Sequence, residues 1–200
     1  MRQWKRRISE LLYEGGYVKF GEFVLTSGLR SPYYVNLRDL PSRPQHFRAI
    51  VNAILYILGE AEYDAICGIA VGGLPLATAV AYSAGRPLVY HRKPKEHGIP
   101  REVEGELERG SRIVIVDDVL TTGGSILRAA NALREMGLDP VGATVVVDRE
   151  QGGAEALAEA GLWLRSVLKI TELMENLKKL GLISRDRYLE VLEYVRKGPG

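Results

Sequence analysis

The chain has 200 residues, 46% of them hydrophobic and 26% charged, with a net charge of +2. That is enough for one domain with a sizeable core, and the charge excess is too small for nucleic acid to be a bulk partner. No apolar run of about twenty residues occurs, so no membrane-spanning helix is expected. Cys67 is the only cysteine, which rules out an intrachain disulfide and fits a reducing, cytoplasmic setting. The three histidines lack zinc-ligand spacing.

Taken in chain order, Trp4, Ile8, Leu11 and Leu12 mark an amphipathic helix over about 3–14, and the Arg2, Lys5, Arg6 and Arg7 cluster reads as its solvated face. Val18–Leu25 and Ser31–Leu37 read as short strands around the turn Thr26-Ser27-Gly28-Leu29-Arg30. A helix is expected over about 43–59, with Ser42 as N-cap and Pro44 in its first turn. Strands and helices then alternate: Asp64–Ile69, a helix over Gly73–Ser83, and a strand over Pro87–His91. The next are a strand at Ile113–Val116 with its helix, a strand at Val141–Val147, a helical turn around Leu157, and a strand over 162–168. Helices near 172–180 and 185–196 close the chain. Such alternation predicts an α/β fold with a doubly wound, mostly parallel sheet, whose ligands bind at the carboxyl ends of the strands. Ala70-Val71-Gly72-Gly73, His91–Gly98 and the loop after Val116 all fall at that edge. Cys67, inside an apolar run, reads as a buried small hydrophobe.

The most informative segment is Arg112–Ile126, RIVIVDDVLTTGGSI. Ile113, Val114, Ile115 and Val116 form a strand buried on both faces. Asp117 and Asp118 follow, and then Thr121-Thr122-Gly123-Gly124-Ser125 opens a helical pattern. Backbone N–H groups and hydroxyls at a helix N-terminus suit a phosphate dianion, and carboxylates just before them can accept hydrogen bonds from a sugar diol. A phosphate and a diol side by side describe a ribose 5-phosphate. No Lys follows the glycines, which excludes a P-loop, and the acids precede the loop rather than following by about twenty residues, which excludes a dinucleotide fingerprint.

The string resembles the phosphoribosyl pyrophosphate (PRPP) signature of the type I phosphoribosyltransferases, a hydrophobic strand followed by D/E-D and T-x-x-G/T-x-S/T. Two further segments resemble the orotate phosphoribosyltransferase branch of that family. Phe23–Tyr34 (FVLTSGLRSPYY) is similar to its F-x-L-K-S-G-x-x-S-P-x-[YF], with Thr26 in place of the usual Lys. Val147-Asp148-Arg149-Glu150-Gln151-Gly152-Gly153 is similar to its D-R-x-E/Q-x-G. The resemblance runs from roughly residue 10 to 165. It implies the type I fold with a small N-terminal hood (1–40), a core (41–200) and a flexible lid loop (about 92–111).

Between Arg92 and Arg112 lies a connection without apolar period, a length that in compact domains often marks a lid. Its start, Arg92-Lys93-Pro94-Lys95-Glu96-His97-Gly98, resembles the branch's R-K-x-x-K-x-H-G lid, one residue shorter before the second Lys. The resemblance implies that Arg92, Lys93, Lys95 and His97 contact PRPP. It implies the same for Asp117, Asp118, Val119, Leu120, Thr121, Thr122, Gly123, Gly124 and Ser125. Lys95, His97, Asp117 and Asp118 carry the catalytic roles. Arg149, Thr121 and Tyr34 face the base, the guanidinium of Arg149 matching the orotate carboxylate with two parallel bonds. The family further implies Mg²⁺ held mainly through PRPP, with no dedicated protein metal site, and a homodimer whose lid is shared between subunits. No nucleic-acid or membrane partner is expected. The expected reaction is transfer of phosphoribosyl from PRPP to orotate in pyrimidine biosynthesis. The alternatives are a relative using another base and a PRPP-binding regulator.

Overall fold

The computed structural model describes residues 3–24, 30–92 and 102–197. The first helix, α1 (Gln3–Glu14), leads into an antiparallel ribbon of β1 (Val18–Val24) and β2 (Arg30–Val35). Ser31, Tyr33 and Val35 alternate to the buried face of β2. A short 3₁₀ turn at Leu40–Ser42 precedes α2 (Pro44–Leu58). This turn corrects the expected cap. The Ser42 hydroxyl donates to the Asp39 carbonyl at 2.6 Å, leaving Arg43 as an N-cap residue without a side-chain bond and Pro44 at the helix start.

The remaining strands are β3 (Ala65–Ile69), β4 (Leu88–His91), β5 (Val103–Glu104), β6 (Arg112–Leu120), β7 (Asp139–Asp148) and β8 (Trp163–Lys169). They form one sheet in the order β5-β4-β3-β6-β7-β8. All pairings are parallel except the short β4–β5 contact, a strand pairing the sequence pattern did not reveal. Chain order reverses between β3 and β6, so the crevice at their carboxyl ends is the expected ligand position in a doubly wound sheet. The expected architecture is therefore present.

Helices cover both faces. α2 and α3 (Leu74–Ala84) share one core with α1, the inner face of the β1–β2 ribbon, and the helices α6 (Ile170–Lys179) and α7 (Arg185–Lys197). On the other face α4 (Gly124–Glu135) and the short α5 (Gly153–Glu159) close a second core over Ala65, Cys67, Ile113, Ile115, Ala143 and Val145. Cys67 is fully buried, and burial pushes its thiol up to about 12. It is core, as its apolar setting indicated.

The β7–β8 edge is tightly packed. Gly142 lies opposite Trp163 in register, and a β-carbon added there would land inside the indole. Gly142→Ala is expected to cost about 1–3 kcal/mol by overpacking, lowering Tm by roughly 3–10 °C. Thermal unfolding checks this, and an unchanged Tm would mean the indole relocates freely.

Candidate active site

Three loops meet at the carboxyl edge of the sheet. The first follows β3. Gly73 keeps its N–H on the Ile69 carbonyl at 3.0 Å, and the turn lies directly against the acid pair. A β-carbon on Gly72 would stand 2.6 Å from Asp118 Oδ2, and one on Gly73 2.7 Å from Asp117 Oδ1. Only residues without side chains permit this approach, so Gly72 and Gly73 belong to the site as surely as the carboxylates do.

The second loop continues β6. The strand does not stop at Val116, because β7 is long enough to extend the ladder through Val119–Val147 and Leu120–Asp148. Asp117 and Asp118 thus sit on rigid extended backbone. Asp117 is buried, whereas Asp118 and Val119 are partly open. The Asp118 N–H donates to Asp117 Oδ1 and the Val119 N–H to Asp118 Oδ1, each at 2.9 Å. Burial first, and the Asp118 charge second, push the Asp117 carboxyl well above its ordinary range. Beyond Leu120, Gly123 adopts φ +84°, a left-handed turn that releases the chain into α4. Thr122 and Ser125 are exposed there, Thr121 and Gly124 half-buried. Arg128, one helical turn on, donates to Ser125 Oγ at 3.3 Å. This cation beside the hydroxyl loop was missed from sequence, although its i, i+3 spacing from Ser125 was there to be read.

The third loop follows β7 and is tied to the second. The Arg149 N–H donates to the Leu120 carbonyl at 2.9 Å, and a β-carbon on Gly153 would meet the Thr121 carbonyl oxygen at 2.5 Å. The Arg149 side chain turns inward and is buried, at 6% exposure. Its Nε donates to the Tyr33 hydroxyl at 3.1 Å and a terminal nitrogen to Ser31 Oγ at 3.3 Å. Its guanidinium carbon also stands 4.7 Å from the Tyr33 ring centre. No carboxylate among the described residues pairs with it, so the surface ion pair with Asp148 or Glu150 that the sequence also permitted does not form. Asp148 is buried too, and burial raises its pKa.

Other expected residues fall differently. Tyr34 alternates to the opposite face of the ribbon from Tyr33 and stacks on Phe23, centroids 5.6 Å apart. The structure therefore brings Tyr33 and Ser31, rather than Tyr34, to Arg149. Arg92 is engaged at the lid root, its Nε 2.9 Å from Glu104 Oε1, and His91 Nε2 lies 3.4 Å from Glu102. Lys93, Lys95 and His97, like Thr26, lie outside the described residues.

A parallel sheet whose switch point joins an acid pair with one buried member, a hydroxyl-rich helix start and an inward arginine is the arrangement of a phosphoribosyltransferase. Residues 41–160 match the phosphoribosyl transferase domain model, and the chain belongs to that family, in the branch of the orotate phosphoribosyltransferases. It is 42% identical over 186 residues to the orotate phosphoribosyltransferase of Pyrobaculum aerophilum, covering 92% of this chain and 95% of that one. The orotate phosphoribosyltransferase of Aeropyrum pernix superposes with a TM-score of 0.75 at 38% identity, over 87% of this chain and 99% of that one. The UMP synthase of Leishmania donovani gives 0.87 at 30% identity over 96% of this chain, which spans 42% of that longer protein.

The raised Asp117 pKa has a sign that can be tested. The unfolded side chain titrates near 3.8 and the folded one well above it. Above pH 3.8 the folded chain therefore binds more protons than the unfolded one, and this group's contribution to stability falls as pH rises through that window. Asp117→Asn, in the ligand-free protein, is expected to raise Tm at about pH 7–8, the gain shrinking as pH falls and vanishing below about pH 3, where both states are largely protonated. A lower Tm at neutral pH would show that the ionised carboxylate is held by partners instead.

Proposed function

We propose that this chain transfers the 5-phosphoribosyl group of PRPP to orotate, giving orotidine 5′-monophosphate and pyrophosphate. The C1–O bond to pyrophosphate breaks, the C1–N1 bond to the base forms, and the base loses its N1 proton. The observation that carries this reading is the buried Arg149, without a counter-charge among the described residues, placed beside a loop suited to ribose 5-phosphate. A buried cation with only neutral partners favours an anionic ligand, and orotate differs from uracil by its carboxylate.

In this reading the backbone N–H groups and hydroxyls of Thr121–Ser125, at the start of α4, hold the 5-phosphate, with Arg128 beside them. Asp117 and Asp118 hold the ribose hydroxyls, positioned by Val119, Leu120 and the Gly72-Gly73 turn. As C1 gains oxocarbenium character, the two carboxyl groups sit where positive charge develops, and that charge favours their ionised form. Arg149 and Thr121 orient the base, and the buried Tyr33 backs the guanidinium. Arg92, anchored on Glu104, roots the lid from which Lys93, Lys95 and His97 reach the departing pyrophosphate, stabilising its charge and excluding water that would capture the sugar.

The donor set fits magnesium. The described residues hold no group of three or more potential ligands, only the two neighbouring carboxylates, and Mg²⁺ commonly takes one or two carboxylates together with substrate phosphates and water. When bound with PRPP it neutralises charge on the pyrophosphate.

We further propose a homodimer in which each lid serves the neighbouring site. Val71, in the turn beside Asp118, is 81% exposed, and Tyr82 on α3 is 89% exposed. Val71 adjoins the site and Tyr82 lies in the last turn of α3, and side chains this open suit cover by a second copy. The cytoplasm is the proposed setting, in keeping with the free, buried Cys67. No helix among the described residues is long and apolar enough to cross a membrane.

The test is orotate consumption, followed by its ultraviolet absorbance, with PRPP and Mg²⁺ and in parallel with adenine, hypoxanthine and guanine. Turnover is expected with orotate alone, and only when PRPP and the cation are both present. Equal activity in EDTA, or preference for a purine, would remove the assignment.

A further inference from the structure

The helices α6 and α7 lie beyond the family-model match, which ends at residue 160, yet they reach the base pocket from two sides. From α7, Tyr194 meets Tyr33 edge-on, with centroids 5.9 Å apart and planes at 85°. Its hydroxyl takes a hydrogen bond from Gln151 Nε2 at 3.4 Å. Tyr33 is fully buried, and its hydroxyl and ring are the main partners of Arg149. The position of the guanidinium therefore depends on whatever holds that ring.

From the other side, Glu150 stands at φ +54°, the one non-glycine residue at positive φ among those described. A side chain rarely adopts that conformation unless its surroundings hold it there. Here its N–H donates to Asp148 Oδ1 at 2.8 Å, and its Oε2 accepts the Thr171 N–H, in the first turn of α6, at 2.9 Å. The carboxylate thus meets the positive end of α6 and one of its unsatisfied donors. This pinned residue turns the chain immediately after Arg149, so that the arginine side chain runs into the protein rather than out to solvent.

We infer that Tyr194 and Glu150 are positioning residues for the base, the C-terminal helices acting through Tyr33 and through the turn after Arg149 to aim its guanidinium at the substrate carboxylate. This rests on the proposed role of Arg149. Neither residue holds the phosphoribosyl group, so their loss must separate the two substrates.

Steady-state kinetics on the full chain, with Arg149→Ala as the reference, tests this. Tyr194→Leu and Glu150→Ala are each expected to raise the KM for orotate by about two- to tenfold, the range of one aromatic-edge contact or one hydrogen bond, with the KM for PRPP unchanged. Tyr194→Phe keeps the ring edge and Glu150→Gln keeps an acceptor for Thr171, so both should stay near wild type. In an Arg149→Ala background Tyr194→Leu should add nothing further to the orotate KM, because coupled residues are not additive. Tyr194→Met takes the place of the leucine variant if that chain does not fold. The inference is overturned if the two KM values rise together, or if the Tyr194→Leu effect persists without Arg149. If Arg149→Ala itself leaves the orotate KM unchanged, the base-pocket assignment fails first and this inference fails with it.

Discussion

A positive charge buried without a counter-charge among the described residues governs this site. Removing an ion from water costs on the order of several kcal/mol even after relaxation. The neutral hydroxyls of Tyr33 and Ser31, together with the Tyr33 ring face, offset that only in part for Arg149. One strand away, Asp117 is buried with another carboxylate as its neighbour, and its ionised form is disfavoured. The two groups stand on adjacent strands, β6 and the end of β7, yet no ion pair joins them. The fold holds them apart, each against partners that leave its charge unmet. A site built this way stores unsatisfied electrostatics that a ligand of suitable charge and hydrogen-bonding capacity can relieve.

What makes such a cost tolerable is the scaffold. β6 and β7 are long, parallel and registered through Leu120–Asp148, so the acid pair and Arg149 stand on backbone that the ladder fixes. Both cores lean on that region, Val116 and Val147 in one and Ile115 and Val145 in the other. The glycine turn after β3 and Gly153 at the start of α5 close the remaining gaps, approaching so tightly that no side chain fits. Precision at the reacting atoms thus comes from strands, and the covering elements are left to loops.

Much of this was legible in the sequence. Ile113–Val116 announced a central strand, the alternation of strands with helices announced a doubly wound sheet, and the acids followed by Thr121–Ser125 announced the ribose-phosphate chemistry. Arg149 was legible too, because it ends a strand at the same edge. The failures share a cause. Ser42 lost its capping role to a 3₁₀ turn that its own preceding residues form. Tyr33 was missed because a period of two says which residues share a face but not which face turns inward. That choice is made by the packing of the ribbon on α1 and α2. The part played by α6 and α7 was hidden for the same reason. Glu150 with Thr171, and Tyr33 with Tyr194, are contacts between distant parts of the chain, and no local pattern encodes them.

The central claim is that the buried cation at the end of β7 selects a carboxylate-bearing base. Its most direct test is the ratio of kcat/KM for orotate over uracil at saturating PRPP and Mg²⁺, measured in the wild type and in Arg149→Met. The wild type is expected to favour orotate by about a hundredfold or more, and the variant to lose most of that preference through its rate on orotate. A preference that survives intact in Arg149→Met would contradict the claim.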